Sequence, residues 1–244
     1  MSLLTDKVVL VTAAAGTGIG FATARRCQEE GATVVISDRH ERRLGEAAER
    51  LGGCVTALCD VTDEEQVQAM IQAVLDAHGR LDVLVNNAGL GGTSTLVDMP
   101  DAAWATVLDV TLTGTMRCMR AALPVMMRQA GGVIVNNSSV LAWRAQKGQA
   151  HYAAAKAGVN ALTRCAALEA AEHGIRINAV SPSLAMHPFL EKVTTPELLA
   201  ELSAKEAFGR PATPDEIANV IVFLASGLSS YMTGEIVSVS NQHP

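Results

Sequence analysis

Positive charge is scarce in this chain of 244 residues, in which 19 Lys and Arg stand against 25 Asp and Glu, for a net charge of -6 and a pI near 5.5. Without a basic field to neutralise phosphates, a nucleic-acid partner and an anionic membrane surface are excluded, which leaves a small-molecule partner. Charge of either sign is low, at 18% of residues against 49% apolar, which excludes the disordered and fibrous classes. Cysteine is present without organisation. Cys27, Cys54, Cys59, Cys118 and Cys165 form an odd set in apolar surroundings, which predicts reduced thiols in a cytoplasm rather than a disulfide framework. The six histidines are scattered with no i, i+4 pairing and no clustered Cys/His/Asp spacing, so no metal site is expected. Long hydrophobic runs are missing as well. The 17 uncharged residues between Lys7 and Arg25 are broken by Gly16, Gly18 and Gly20, and a spanning helix needs about 20 apolar residues. Neither a membrane span nor a targeting segment is read there.

What is present alternates from end to end. Short β-branched runs at 7–13, 33–37, 54–58, 81–86, 132–138, 175–181 and 235–239 predict seven strands. Helical patterns at 18–30, 40–51, 63–78, 101–128, 150–172 and 213–225 fill the gaps between them. Such a rhythm predicts an α/β class: a doubly wound parallel sheet with helices on both faces, because each right-handed crossover buries one side. The length suits a single domain over 1–244. Only 182–214, with Pro188, Pro196 and Pro211, breaks the pattern; it is read as a lid over the carboxyl edge, with a short helix near 196–207. Met186, Phe189, Leu190, Leu198, Leu199 and Leu202 give that lid an apolar side.

Two motifs carry chemistry. The first strand runs into Thr12-Ala13-Ala14-Ala15-Gly16-Thr17-Gly18-Ile19-Gly20, where glycines permit a tight turn and close approach of a pyrophosphate to a helix N-terminus. Asp38, 18 residues past Gly20 at the end of the second strand, is placed to accept from an adenosine ribose; an N-cap for the next helix is its structural alternative. Tyr152 and Lys156 lie at i and i+4 on a helix, so the ammonium is expected to lower the pKa of the phenol for proton exchange with an alcohol or ketone. Ser139 precedes Tyr152 by 13 residues and emerges at a strand's carboxyl end. The ten alanines of 150–172 suit close packing against another subunit, with burial inside the monomer as the alternative.

On these residues, together with Asp60-Val61, Asn86-Asn87-Ala88-Gly89 and Thr233-Gly234, the chain closely resembles the short-chain dehydrogenase/reductase family in its compact single-domain branch. The resemblance spans essentially the whole chain. It implies a Rossmann-like fold, an NAD cofactor with NADP as the alternative, and a homo-oligomer, dimer or tetramer. It implies Tyr152 as general acid/base, Ser139 as the group binding the reacting oxygen, and Lys156 as the residue that holds the nicotinamide ribose and tunes Tyr152. Thr12, Gly16, Gly18, Ile19, Gly20, Asp38, Asp60, Val61, Asn87, Ala88, Gly89 and Pro182 would complete the cofactor site. The alternative on the same fold is a catalytically weak dinucleotide sensor, which loss of the tyrosine or lysine would mark; both are present.

The chain departs from the family pattern in three places. Its glycine turn carries Ala13 or Ala14 where the family has its first glycine, and is one residue longer. Thr111, in Val110-Thr111-Leu112, stands where the family has a catalytic Asn, and is read as a hydroxyl substitute in a proton relay. The Pro-Gly after the sixth strand is Pro182-Ser183, and the usual lid Thr is His187. Trp143 and Arg144 are read as lining the substrate mouth, with Arg144 placed to meet an anionic group. Short stretches such as Trp143-Arg144-Ala145-Gln146 resemble bacterial members that act on acyl-CoA intermediates, ring fragments of sterols among them.

Overall fold

The computed structural model describes residues 2–186 and 195–241. Seven parallel strands form one sheet in the order β3-β2-β1-β4-β5-β6-β7: β1 Val8–Val11, β2 Thr33–Asp38, β3 Val55–Leu58, β4 Val83–Asn86, β5 Gly132–Asn137, β6 Ile175–Pro182 and β7 Ile236–Val239. From β1 the chain first builds outward through β2 to β3 and then returns to build the other way from β4. The crevice beside the carboxyl ends of β1 and β4 is therefore the topological switch point where such sheets bind ligands.

Alternation along each strand feeds two cores. Val9 and Val11 face one way, against Phe21, Ala24 and Cys27 of α1 (Ile19–Glu29), Leu44 and Ala47 of α2 (Glu41–Arg50), and Ile217 and Ile221 of the C-terminal helix. Val8 and Leu10 face the other way, against Val67, Met70 and Val74 of α3 (Glu64–His78) and a second pair of helices. Asp63 starts α3 by accepting from the backbone N–H groups of Glu65 and Gln66, and Gly79, at φ 72°, ends it.

The single helix expected over 101–128 is in fact three pieces. α4 (Asp101–Leu108) passes into one π-helical turn, Asp109–Thr113, before α5 (Gly114–Arg128) resumes. The wider turn carries Thr111, which is completely buried beneath the loop after β4. Gly114 follows it because a Cβ there would meet Val61 at 2.7 Å. Such bulges inside α-helices recur at functional sites. Met126 fills the core of this face, as a flexible side chain suits.

α6 (Ala150–Ala170) crosses the same face. Beyond β6 come α7 (Pro196–Lys205) and α8 (Pro214–Ala225), the latter opened by Pro214 and a reciprocal capping box between Thr213 and Glu216. His187, Phe189 and Leu190, with which the sequence reading furnished the lid, lie outside the described residues, as does the side chain of Leu198; Met186, Leu199 and Leu202 are half-buried.

Candidate active site

β1 ends in a cradle assembled from both sides of the switch point. Thr12 is buried, and its hydroxyl accepts the N–H groups of Asn87 (3.0 Å) and Ala88 (3.1 Å) while donating to the carbonyl of Val85 (3.4 Å). With all its hydrogen-bonding positions taken, Thr12 shapes the cradle from behind. The Asn87 amide donates to the carbonyls of Thr12 and Ala13, and accepts from the Asn137 amide at 2.9 Å. Ala13 sits at φ 51°, the left-handed conformation for which the family keeps a glycine. Ala13 rather than Ala14 thus occupies the glycine position, and the grip of Asn87 on its carbonyl holds the strained form.

The extra residue of the turn is accommodated locally. Gly16 N–H bonds to the carbonyl of Ala14 (3.0 Å), Ala15 N–H bonds to a carboxylate oxygen of Asp38 (3.2 Å), and the Arg50 guanidinium, stacked on the Phe21 ring, reaches the Gly16 carbonyl at 3.4 Å. Gly20 is required sterically, since a Cβ would lie 2.5 Å from both Ala13 O and Asn87 Nδ2. At Gly16, nothing lies within 4 Å of the Cβ position, leaving open space on the ligand side. α1 starts at Gly18 and Ile19 with no side-chain cap and no acid in its first turn, so its free N–H groups suit an anion such as a pyrophosphate. Asp38 closes β2. Its second oxygen accepts His40 N–H at 3.0 Å, and burial pushes its carboxyl above the usual range against the pull of Ala15, Arg43 and Arg39. Asp60 holds the N–H and hydroxyl of Thr62, and buried Val61 packs below it. These groups fit a dinucleotide.

The residues read from the sequence as catalytic converge from three elements. Ser139 follows β5, and its hydroxyl bonds the Tyr152 phenol and also accepts Leu141 N–H at 3.2 Å. Lys156, one turn below Tyr152, is 3% exposed; its Nζ donates to the Asn137 carbonyl at 2.5 Å, lies 5.5 Å from the centre of the Tyr152 ring, and is 3.3 Å from the position a Gly89 Cβ would take. Burial is the largest influence on both groups. Burial pushes Tyr152 up to about 12, only the Ser139 hydrogen bond pulls it down, and burial likewise lowers Lys156 to about 8. Two charge-disfavouring environments stand side by side.

Thr111 is brought to the same centre, though its hydroxyl donates to the Leu90 carbonyl (3.2 Å) and accepts Leu90 N–H (3.0 Å). Pro182 ends β6 on the same edge. The sequence reading missed Asn137, whose carbonyl anchors Lys156 and whose amide joins the Asn87 node. Consecutive amides, Asn136-Asn137, inside a buried strand were a usable signal, because buried amides are costly unless partnered. Asn136 is likewise bonded, to Asn86 and Thr163 at 2.9 Å each.

The family model described as enoyl-(acyl carrier protein) reductase matches residues 13–241. The chain belongs to the short-chain dehydrogenase/reductase family. It is similar to the (5R,7aS)-5-hydroxy-7a-methyl-1-oxo-2,3,5,6,7,7a-hexahydro-1H-indene-carboxyl-CoA reductase of Mycobacterium tuberculosis, with 63% identity over 99% of this chain and 95% of that protein. The cis-4-hydroxycyclohexanecarboxylate dehydrogenase of Sinomonas cyclohexanicum is 41% identical, over 96% of this chain and 95% of its own length. A crystal structure of a short-chain dehydrogenase from Mycobacterium smegmatis superposes with a TM-score of 0.89 at 58% identity, covering 100% of this chain and 95% of that one. The protein is an NAD(P)-dependent oxidoreductase interconverting a secondary alcohol and a ketone. Among the described residues no helix is long and apolar enough to cross a membrane.

Proposed function

We propose that the protein is an NAD-preferring reductase of a ketone on a ring-bearing acyl-CoA thioester. The convergence of Ser139, Tyr152 and Lys156 carries this reading. A bound nicotinamide would supply the hydride. Ser139 O–H donates to the carbonyl oxygen and polarises it, and Tyr152 O–H delivers the proton to that oxygen as charge develops there. Lys156, fixed on Asn137, is the group that would hold the nicotinamide ribose beside Tyr152.

Asp38 supports NAD over NADP, because a carboxylate accepts from a ribose hydroxyl and repels a 2′-phosphate. Comparing kcat/KM for NADH and NADPH tests this; at least a tenfold advantage for NADH is expected, and a tenfold advantage for NADPH would overturn it. The substrate class comes from the 63% identical relative. It agrees with Arg144, Trp143 and half-buried Leu199 and Leu202 on the segments that follow Ser139 and Pro182. A panel of cyclic oxo-carboxyl-CoA thioesters, straight-chain 3-oxoacyl-CoA thioesters and simple ketones, followed by NADH absorbance, is expected to rank the cyclic thioesters first. A preference for simple ketones would overturn the reading.

We further infer a cytoplasmic homo-oligomer. A groove of about 560 Å³ runs along the outer face of α6, between Ala150, Ala153, Ala157 and Leu141, and Leu96 at its rim is 73% exposed. The same groove also touches Trp143 and Arg144, so a second copy seated along the alanines of α6 would border the substrate mouth; sedimentation equilibrium measures the association.

A further inference from the structure

Asp109, which opens the π-helical turn, is bonded across that turn to Arg117 of α5. Arg117 Nη1 donates to Asp109 Oδ1 at 2.8 Å and reaches the Val61 carbonyl at 3.4 Å, while its Nε lies 4.0 Å from Glu64, the first residue of α3. The spacing of the pair is informative. Eight residues overshoot two turns of an α-helix by about 80°, which would carry the two side chains to different faces. The extra residue of the π turn absorbs that overshoot, and the arginine, pointing back toward the helix N-terminus, meets the aspartate. The ion pair thus matches the wide turn and not a regular one. What the turn carries is Thr111, whose hydroxyl holds both backbone groups of Leu90, the N–H at 3.0 Å and the carbonyl at 3.2 Å. Next to Leu90 is Gly89, whose missing Cβ would stand 3.3 Å from Lys156 Nζ and 3.9 Å from Thr111 Oγ1. A slip of the turn to regular helix would rotate Thr111 by about 100° and release the loop that lies against Lys156.

We propose that Arg117, through its ion pair with Asp109, is a positioning residue that holds the π turn in its wide form and so sets Thr111, Leu90 and Gly89 beside Lys156. The inference rests on the reduction proposed above for Ser139, Tyr152 and Lys156, and goes beyond it. Both charged residues act through the turn rather than on the substrate. The reach of Arg117 to the Val61 carbonyl also fastens the turn to the loop after β3, against which Gly114 packs so closely that a Cβ would meet Val61 Cγ2. Asp109 makes no such contact with Val61, so the two partners are separable by substitution. A partly exposed pair of this kind adds little to global stability, and its loss is read in the geometry of the turn rather than in melting.

The test compares Asp109→Ala, Arg117→Met and Arg117→Lys in the full-length protein, with NADH and the panel of ketones and oxo thioesters named above. Hydrogen exchange at the Leu90 amide, resolved by mass spectrometry of overlapping peptides, reports the turn without recourse to activity, because that amide is bonded to Thr111. Asp109→Ala and Arg117→Met are each expected to speed Leu90 exchange about tenfold and to lower kcat about fivefold, with KM for the ketone and the melting temperature nearly unchanged. Asp109→Ala leaves NADH affinity as it is, and Arg117→Lys, which keeps the charge, recovers at least half of the lost kcat. In a Thr111→Ala background neither substitution lowers kcat further. Wild-type exchange at Leu90 in both variants, an unchanged kcat, or a loss that persists in full without Thr111 overturns the proposal. So does faster exchange spread over the whole sheet, the mark of a merely structural role. If wild type binds NADH but reduces nothing in the panel, the reading of the reaction fails, and exchange at Leu90 still decides whether the ion pair holds the turn.

Discussion

The two ends of the cleft depart from the family pattern in different ways. At the dinucleotide end the differences lie within nine consecutive residues, Thr12 to Gly20, and are absorbed by neighbours: Ala13 takes a strained φ of 51°, and Asp38 and Arg50 hold the longer turn. Fit there is steric, decided by a Cβ that Gly20 lacks. At the reacting end the differences are electrostatic and long-range. Burial shifts Tyr152 and Lys156, and Ser183 meets Glu206 from a separate segment. Steric errors at the first end should appear in cofactor binding, whereas charge errors at the second should appear in turnover and pH dependence.

The sharpest separation comes from Tyr152→Phe. It should lose at least about 10²-fold in kcat, the lower end of general acid/base contributions, with NADH affinity intact by fluorescence titration. A loss of NADH affinity equal to the loss of kcat would merge the two ends.

Gly20→Ala should do the opposite. Its Cβ meets two atoms that are themselves held, so overpacking of about 2 to 3 kcal/mol is expected in chemical denaturation, with NADH affinity more than tenfold weaker. Unaltered NADH binding would show that the steric account of this end is mistaken.

Lys156 tests the electrostatic end without substrate. Its ordinary value is 10.5 and burial lowers it to about 8, so between those pH values the unfolded chain binds more protons than the folded one. Stability should therefore rise with pH through that window, and the full cost of burying the charge applies below it. Lys156→Met should gain about 2 kcal/mol near neutral pH, after the lost Asn137 hydrogen bond is counted, and should flatten the rise. Thermal melting of both proteins from pH 7 to about 10.5 measures it.

The smallest effect belongs to Ala13→Gly. Relief of left-handed strain, reduced by the greater freedom of glycine in the unfolded chain, should add about 0.5 to 1 kcal/mol of stability without altering NADH affinity. A loss of stability would mean that the methyl of Ala13 packs to a benefit that outweighs its strain.

Much of this was legible in one dimension. Strand and helix periodicity placed all seven strands and put helices on both faces of the sheet, because alternation with period 2 and repetition near 3.6 are local properties of the chain. Gly20, Asp38, Ser139, Tyr152 and Lys156 were readable for the same reason, each standing at a fixed offset inside one strand, turn or helix. The long helix over 101–128 was misread as continuous, since a π turn carries no periodicity of its own; its Thr111 bonds Leu90, 21 residues away. Only the tertiary structure set the burial that raises Tyr152 and lowers Lys156, because desolvation depends on what surrounds a group and spacing does not report it. It alone also gave Ser183 its partner. Glu206 lies 23 residues beyond it with no motif between, and the attraction of a carboxylate for a hydroxyl acts through space, where the sequence has no register.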